Sequence, residues 1–284
     1  MSSTVPPIAA TYDSLWGRFL VAHAAAKAAA LALAGEEKAA TKREYGLVFD
    51  WNPTDRSDDS IEHIASQVIS ALVNEAERIL PPAGATLSID TSAIKEAWII
   101  GDRYDRKLRE DFTPLAVWEH LAKQYGGQRA ADAAFEQAAE HIVKDFHLHQ
   151  LPEIKQVSGA VELELRVYTE RRFSGEREIS WGWREDLNKL MRALQGFLAW
   201  TGEDELSETY FGLGRMQRAI SNGTVTSRMR VGGGDMFFIF YHEKIIARIA
   251  PAKAEKLNEF VCQYSKRMRT ALEEAAAEQQ AKAA

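Results

Sequence analysis

The segment SRMRVGGGDMFFIFYHEK, residues 227–244, constrains the fold more than any other part of the chain. Three consecutive glycines separate a basic stretch from an aromatic one. A phosphate-binding loop has a strand before its glycines and a helix directly after them, so that the helix amides point at the anion. Here a β-forming run follows instead, and both the GK[ST] ending and the G-x-G-x-x-G spacing are missing. The sequence therefore predicts a meander of three strands with the glycines at a hairpin corner.

A further strand is expected earlier in the chain, because apolar and polar residues alternate from 161 to 167. Helical patterns dominate elsewhere, and the clearest helix begins at Thr113 and Pro114 and ends at Gly126. These patterns predict an α+β protein, with a mainly helical N-terminal part followed by a small antiparallel sheet flanked by helices. The expected regions are an acidic, mainly helical region, an α+β domain and a frayed tail: 1–150, 151–272 and 273–284.

Charge is distributed unevenly along the 284 residues, whose net charge is −6. Residues 1–154 carry 15 Lys and Arg against 23 Asp and Glu, whereas residues 209–272 carry 11 against 4. The basic segment coincides with the glycine hairpin. A solvated strand face is the default explanation, but a local surplus of cations is also typical of surfaces that contact a phosphate backbone.

Six residues are candidates for contact with nucleic acid. Arg228 and Arg230 are expected on one face of a strand, with the other cations nearby. The S-W-G-W segment at 180–183 either packs in the junction between sheet and helix, which is the favoured interpretation, or stacks on a base. The candidate residues are Arg228, Arg230, Arg248, Lys253, Arg172 and Trp183.

No motif for catalysis, a cofactor or a metal is apparent. His147 and His149 lack metal-ligand spacing, so no metal site, cofactor or catalytic residue is predicted. A metal-dependent hydrolase or nuclease would require His242 and Glu243 to converge with other groups in a cleft. No run is expected to reach the roughly 20 apolar residues of a membrane span. The single cysteine, Cys262, excludes an internal disulfide, and we expect a cytoplasmic protein with no membrane contact.

The C-terminal half resembles the uncharacterised bacterial domain-of-unknown-function family 4942. The resemblance is carried by Trp181, Gly182 and Trp183 at the entry to a leucine-rich helix, and by Leu257 and Asn258 in the last helix. The segment HEKIIARI resembles an insertion, and three glycines replace the usual Asn-Gly turn. The resemblance implies a protein carried by plasmids, prophages and genomic islands, with some relatives joined to DNA methyltransferase domains. It implies no catalytic residue.

Two hypotheses about function follow. The first is a non-enzymatic accessory protein of a mobile genetic element that contacts nucleic acid through a basic C-terminal surface, in counter-defence or in DNA modification. The second is a protein-interaction module or inhibitor that docks a host partner through its acidic helical half.

Overall fold

The computed structural model describes residues 5–41, 53–101, 107–151, 154–171, 177–225 and 228–283. Within these ranges, helices precede a sheet that is flanked by further helices, which confirms the α+β prediction. The helices are α1 (Pro7–Thr41), α2 (Pro53–Ile79), α3 (Thr91–Trp98), α4 (Pro114–Tyr125), α5 (Gln128–Asp145), α6 (Trp181–Trp200), α7 (Glu208–Asn222), α8 (Pro251–Tyr264) and α9 (Lys266–Ala283). The strands are β1 (Ile99–Ile100), β2 (Lys107–Leu108), β3 (Lys155–Val157), β4 (Ala160–Arg166), β5 (Thr169–Arg171), β6 (Arg177–Ile179), β7 (Thr224–Val225), β8 (Arg230–Gly233), β9 (Met236–Phe240) and β10 (Lys244–Ile249).

The chain divides into two compact units, and the division differs from the expected boundary at residue 150. Unit 1 comprises Met1–Leu80 and Ile89–Gly126, and unit 2 comprises Pro81–Ser88 and Gly127–Ala284. Helix α5 belongs to unit 2 because its apolar face is part of the core there, where Ala138 meets Gly196 of α6. The end of the chain also differs from expectation, because α9 stays helical to Ala283 where a frayed tail was expected.

Unit 1 holds the predicted helix α4. The Thr113 hydroxyl accepts a hydrogen bond from the Ala116 N–H at 3.0 Å, and Pro114 occupies the first turn, so this helix begins as predicted. An aromatic cluster fills the core nearby. The ring of Phe112 lies edge-on to the rings of Trp16 and Trp98, with centroids 5.1 and 5.9 Å apart. The helices of this unit are therefore anchored by aromatic packing.

Helix α1 corrects one expectation from the sequence. Its segment Pro7–Glu36 is long and apolar enough to cross a membrane, by length and composition, and most of its residues are exposed. Alanine-rich sequences form long helices through intrinsic propensity alone. Length and apolar composition therefore do not distinguish a membrane-spanning helix from such an alanine-rich helix. The expected absence of membrane contact and the expected cytoplasmic location therefore stay predictions.

Unit 2 is built on a five-stranded antiparallel sheet with the order β3-β4-β10-β9-β8. One face of this sheet is buried, and its side chains form a single apolar cluster with those of α5 to α9. A second sheet, β5-β6-β7, adjoins it where the Thr169 hydroxyl donates a 2.6 Å hydrogen bond to the carbonyl of His242. The helices pack on the buried side, and the opposite face of the five-stranded sheet presents strand side chains, with Phe146 and His147 from the end of α5 beside them.

Candidate nucleic-acid interface

The glycine triplet forms the corner between β8 and β9, which confirms the predicted hairpin. The two strands pair as far as Gly233, so Gly234 and Asp235 make a two-residue turn. Gly232 and Gly234 have φ angles of 135° and 57°, a region that favours glycine. The Asp235 N–H donates a hydrogen bond of 3.2 Å to the hydroxyl of Thr209 in α7. The triplet therefore serves a turn and a close helix contact, and no helix follows it to bind phosphate.

The outward side of the five-stranded sheet is the main candidate surface. Along β9, the buried Phe238 alternates with the half-buried Phe237 and Ile239, and the same alternation runs through β4 and β10. A groove of about 470 Å³ lies over part of this side, between β3 and the end of β9, and its lining does not include Arg230 or Phe237. Its volume falls within the range of about 300–1,000 Å³ that is common for ligand sites. We call the following side chains the outer sheet face: Lys155, Glu162, Glu164, Arg166, Arg230, Phe237, Ile239, Tyr241, Lys244, Ile246 and Arg248.

The outer sheet face has more cations than carboxylates. Arg248 binds Glu162, with its Nε 2.6 Å from Oε1, and Lys244 binds Glu164, with its Nζ 2.8 Å from Oε2. Three further cations make no ion pair within the part of the chain that the structure describes, although Lys155 is directly opposite Glu162 in the register of β3 and β4. These three cations are Lys155, Arg166 and Arg230.

Like charges also face each other on this surface. Arg166 and Lys244 are directly opposite in the register of β4 and β10. Directly opposed like charges destabilise a sheet, and Glu164 compensates only one of them. A bound anion between the two cations would relieve this repulsion.

Arg230 is held by an aromatic ring. Its guanidinium carbon lies 3.7 Å from the centroid of the Phe237 ring, in a cation–π contact. Ile239 is directly opposite Arg230 in the register of β8 and β9. The guanidinium therefore lies over Phe237 on the outer sheet face in the free protein.

The predicted site residues do not form one surface. Arg228 has a φ of 64° and lies before β8, so it does not share a strand face with Arg230 as expected. Arg248 is paired with Glu162, and Lys253 in α8 is mostly buried in an ion pair with Glu203. Their charges are therefore balanced by acids from other parts of the chain. Arg172 lies outside the described residues.

The tryptophans of the S-W-G-W segment are at the surface, which contradicts the favoured interpretation of core packing. Trp181 is 82% exposed and Trp183 is 36% exposed. The preceding residue, Ser180, donates its N–H to the carbonyl of Tyr168, two residues beyond Arg166. The guanidinium of Arg184 is not available for stacking, since it binds Glu178.

Sequence reasoning missed Lys155, Arg166, Lys244, Phe237 and Tyr241 as members of the surface. The alternation in β4 places Arg166 on a wet face, and this signal was present in the sequence. The other assignments depend on the pairing of β4 with β10 and of β3 with β4, which joins distant segments. No local pattern reports that pairing.

The candidate catalytic groups do not converge. His242 and Glu243 are exposed in the turn between β9 and β10. Across the described ranges, no three His, Cys, Asp or Glu side chains come close enough together to hold a metal ion. His147 and His149 lie at the 3₁₀ turn after α5, with ring centroids 6.2 Å apart. The sequence and these positions give no catalytic assignment.

A separate group of titratable side chains lies between α5 and α6. Burial raises the pKa of Asp145 to about 6, and the Asp186 carboxylate adds to this while Lys144 and Lys189 oppose it. Burial lowers the pKa of His141, and the charges of Lys144 and Lys189 lower it further. These groups lie where α5 packs against α6.

Comparisons with known protein families, with curated proteins and with solved structures found no match to this chain. The resemblance to family 4942 therefore stays a prediction.

Proposed function

We propose that this protein binds nucleic acid through the outer sheet face. The observation that supports the proposal is the surplus of Lys155, Arg166 and Arg230 on a surface that also presents aromatic and aliphatic side chains. A chain of phosphates matches such a surface because each contact with Lys or Arg releases a condensed counterion. The interface differs from the one predicted from sequence, since Arg248 and Lys253 are neutralised.

The surface would work by charge and apolar contact together. Arg166 and Lys244 face each other across two strands and would share a phosphate, which relieves their repulsion. Arg230 and Lys155 lie on the two edge strands of the sheet and would hold the backbone on either side. Apolar side chains between these edges, including Ile239 and Ile246, would contact the bases or sugars.

The test measures the binding of a labelled oligonucleotide by fluorescence anisotropy at a series of salt concentrations. Wild-type affinity is expected to fall steeply between about 50 and 200 mM salt. The variant Lys155→Ala/Arg166→Ala/Arg230→Ala is expected to bind much more weakly. Its slope of log affinity against log salt should be shallower by about 2, because each lost single-strand phosphate contact removes about 0.7.

A matched variant removes three exposed cations from helices instead: Arg192→Ala/Arg218→Ala/Lys256→Ala. It changes the net charge equally, so it should bind as the wild type does if the outer sheet face is the interface. Equal losses in both variants would show a diffuse charge effect. Absence of any binding at low salt would reject the proposal.

The biological setting that we propose is that of an accessory protein of a mobile genetic element, acting in counter-defence or in DNA modification without a catalytic step of its own. The support for this setting is the sequence resemblance alone. Expression of the protein in a host with a defined restriction system, followed by phage plating, tests it. Unchanged plating efficiency across several systems would count against this role.

A protein partner on the helical half is the second candidate. The observation that favours it is the exposure of apolar side chains along α1, where Val21 is 73% exposed and Leu31 is 50% exposed. Capture of a partner that survives nuclease treatment and is lost on Val21→Asp/Leu31→Asp would favour this candidate.

A further inference from the structure

We infer that the outer sheet face takes single-stranded rather than duplex nucleic acid, with bases stacked on Tyr241 and on the guanidinium of Arg230. This inference rests on the proposed function and specifies the ligand class of the same site. It is carried by the shape of the face, by the Arg230–Phe237 stack and by the placement of cations around an apolar centre.

The shape of the face suits unpaired bases. Readout in a duplex groove requires a helix or a two-stranded ribbon that projects into it. The outer sheet face is instead the side of a five-stranded sheet, and a groove of about 470 Å³ lies over the part of it that includes Tyr241 and Lys155. Unpaired bases can be splayed out and stacked on the side of such a sheet, as they are on other sheets that bind single strands.

The planar groups are spaced for more than one base. Phe237 and Tyr241 are four residues apart along the same extended segment, so their Cα atoms are separated by about 13 Å. Ile239 lies between them, and Ile246 is opposite Ile239 on β10. The two stacking positions are therefore separated by aliphatic side chains.

The stack of Arg230 on Phe237 provides the first position. The guanidinium carbon lies over the ring, 3.7 Å from its centroid, and Arg230 is exposed, so a base can approach the guanidinium from the solvent. Bases stack on Arg guanidinium planes as they do on aromatic rings. Because the guanidinium already lies over Phe237 in the free protein, less conformational entropy is lost when a base stacks on it.

The cations surround this apolar centre. Arg230 lies on edge strand β8 and Lys155 on edge strand β3, with Arg166 and Lys244 at one end of the central strands. A bound single strand can place its phosphates at this perimeter and its bases over the apolar centre. A duplex would present its phosphates to the face and keep its bases stacked within the helix.

The experiment compares one labelled strand alone with the same strand annealed to its complement, using the full chain and fluorescence anisotropy. The strand exceeds a site of about 4–16 nucleotides, and DNA and RNA versions of it are both measured. We expect either single strand to bind at least about tenfold more tightly than its duplex, because stacking contributes about 1–3 kcal/mol per base.

Two variants separate stacking from charge. Arg230→Lys keeps the charge but removes the plane, and Tyr241→Leu keeps an apolar side chain but removes the ring. Each is expected to weaken single-strand binding by about fivefold or more while leaving duplex binding nearly unchanged. Tyr241→Phe keeps the ring and should restore the affinity. Circular dichroism and thermal unfolding confirm that each variant is folded.

The outcomes distinguish this inference from the proposed function. Duplex binding as tight as single-strand binding, or wild-type affinity in both Arg230→Lys and Tyr241→Leu, overturns the single-strand inference and leaves nucleic-acid binding in place. Displacement of the strand by polyglutamate at equal charge concentration would show a general polyanion surface and would also overturn it. No binding of either form overturns the proposed function itself.

Discussion

Gly212 of α7 and Gly233 of β8 meet backbone to backbone. A Cβ atom on Gly212 would lie 2.4 Å from the nitrogen of Gly233 and 2.8 Å from the carbonyl carbon of Gly232. Neither neighbour is a flexible side chain, so the helix would have to move away from the hairpin. We expect Gly212→Ala to lower the free energy of unfolding by about 1–3 kcal/mol, as overpacking does in other cores.

Gly214 is the matched control, because it lies in the same helix and has open space where a Cβ would be. Alanine is the better helix former, so Gly214→Ala should raise the free energy of unfolding by about 0.5–1 kcal/mol. Urea denaturation of both variants measures the two effects. Effects of the same sign would show that helix propensity, and not the contact with β8, decides the outcome.

The same contact shows what the sequence could predict and what it could not. The hairpin followed from local information, since three glycines before an aromatic β-forming run exclude a phosphate loop. The start of α4 also followed from local information, since Thr113 caps the helix and Pro114 occupies its first turn. The tight approach of α7 to β8 joins residues about twenty positions apart through tertiary packing, and no local preference reports it.

The charged surface was mispredicted for a related reason. Residues 209–272 have a surplus of cations, yet the partners of Arg248 and Lys253 are Glu162 and Glu203, which lie outside that segment. Arg248 and Glu162 are 86 positions apart. Charge counted along the chain does not give charge on a surface when strand pairing brings distant segments together. The surplus that remains includes Arg166, from outside the basic segment.

The ion pair between Lys253 and Glu203 should stabilise unit 2. Their side chains are 11% and 18% exposed. Loss of one partner would leave a poorly solvated charge, so we expect Lys253→Ala to lower the free energy of unfolding by about 1–3 kcal/mol. Lys256 in the same helix is paired with Glu259 but both are 55% exposed, so Lys256→Ala should change stability by less than about 1 kcal/mol.

The ion pair between Lys253 and Glu203 should also make the free energy of unfolding depend on pH. Burial acts to raise the pKa of Glu203, but hydrogen bonds from Lys253, Ser207 and Thr209 together hold that pKa below its usual 4.5. The stabilisation is therefore present above pH 4.5 and is lost as pH falls through the lower pKa of the folded state. Wild type and Lys253→Ala should converge in acid. A constant difference in unfolding free energy across that window would contradict this assignment.

Asp145 is expected to make the protein less stable as pH rises. Its folded-state pKa of about 6 exceeds its model-compound value of 3.8, because burial disfavours the carboxylate. The folded state therefore binds more protons between these two values, and stability falls with rising pH through that window. Asp145→Asn should be more stable than wild type near neutral pH by roughly 1 kcal/mol, and the gain should vanish in acid.

Asp132→Asn is the matched control for this pH effect, because Asp132 is exposed on the same helix α5. Its free energy of unfolding should stay within about 0.5 kcal/mol of the wild type at every pH. Chemical denaturation from acid to neutral pH tests both variants. If Asp145→Asn loses stability near neutral pH, the carboxylate is compensated by its neighbours Lys144 and Lys189, and burial does not dominate.

The two ends of α6 should respond in opposite ways to loss of an indole. Trp181, the first residue, is 82% exposed, whereas Trp200, the last, packs against Phe260 with ring centroids 5.3 Å apart. We expect Trp181→Ala to change the free energy of unfolding by less than about 0.5 kcal/mol. Trp200→Ala should lower it by about 2–4 kcal/mol through the cavity it leaves.

A large exposed indole with no role in stability is available for a ligand, so Trp181→Ala should weaken oligonucleotide binding if the interface extends past Tyr168. Destabilisation by Trp181→Ala as large as that by Trp200→Ala would instead support the packing interpretation of the S-W-G-W segment.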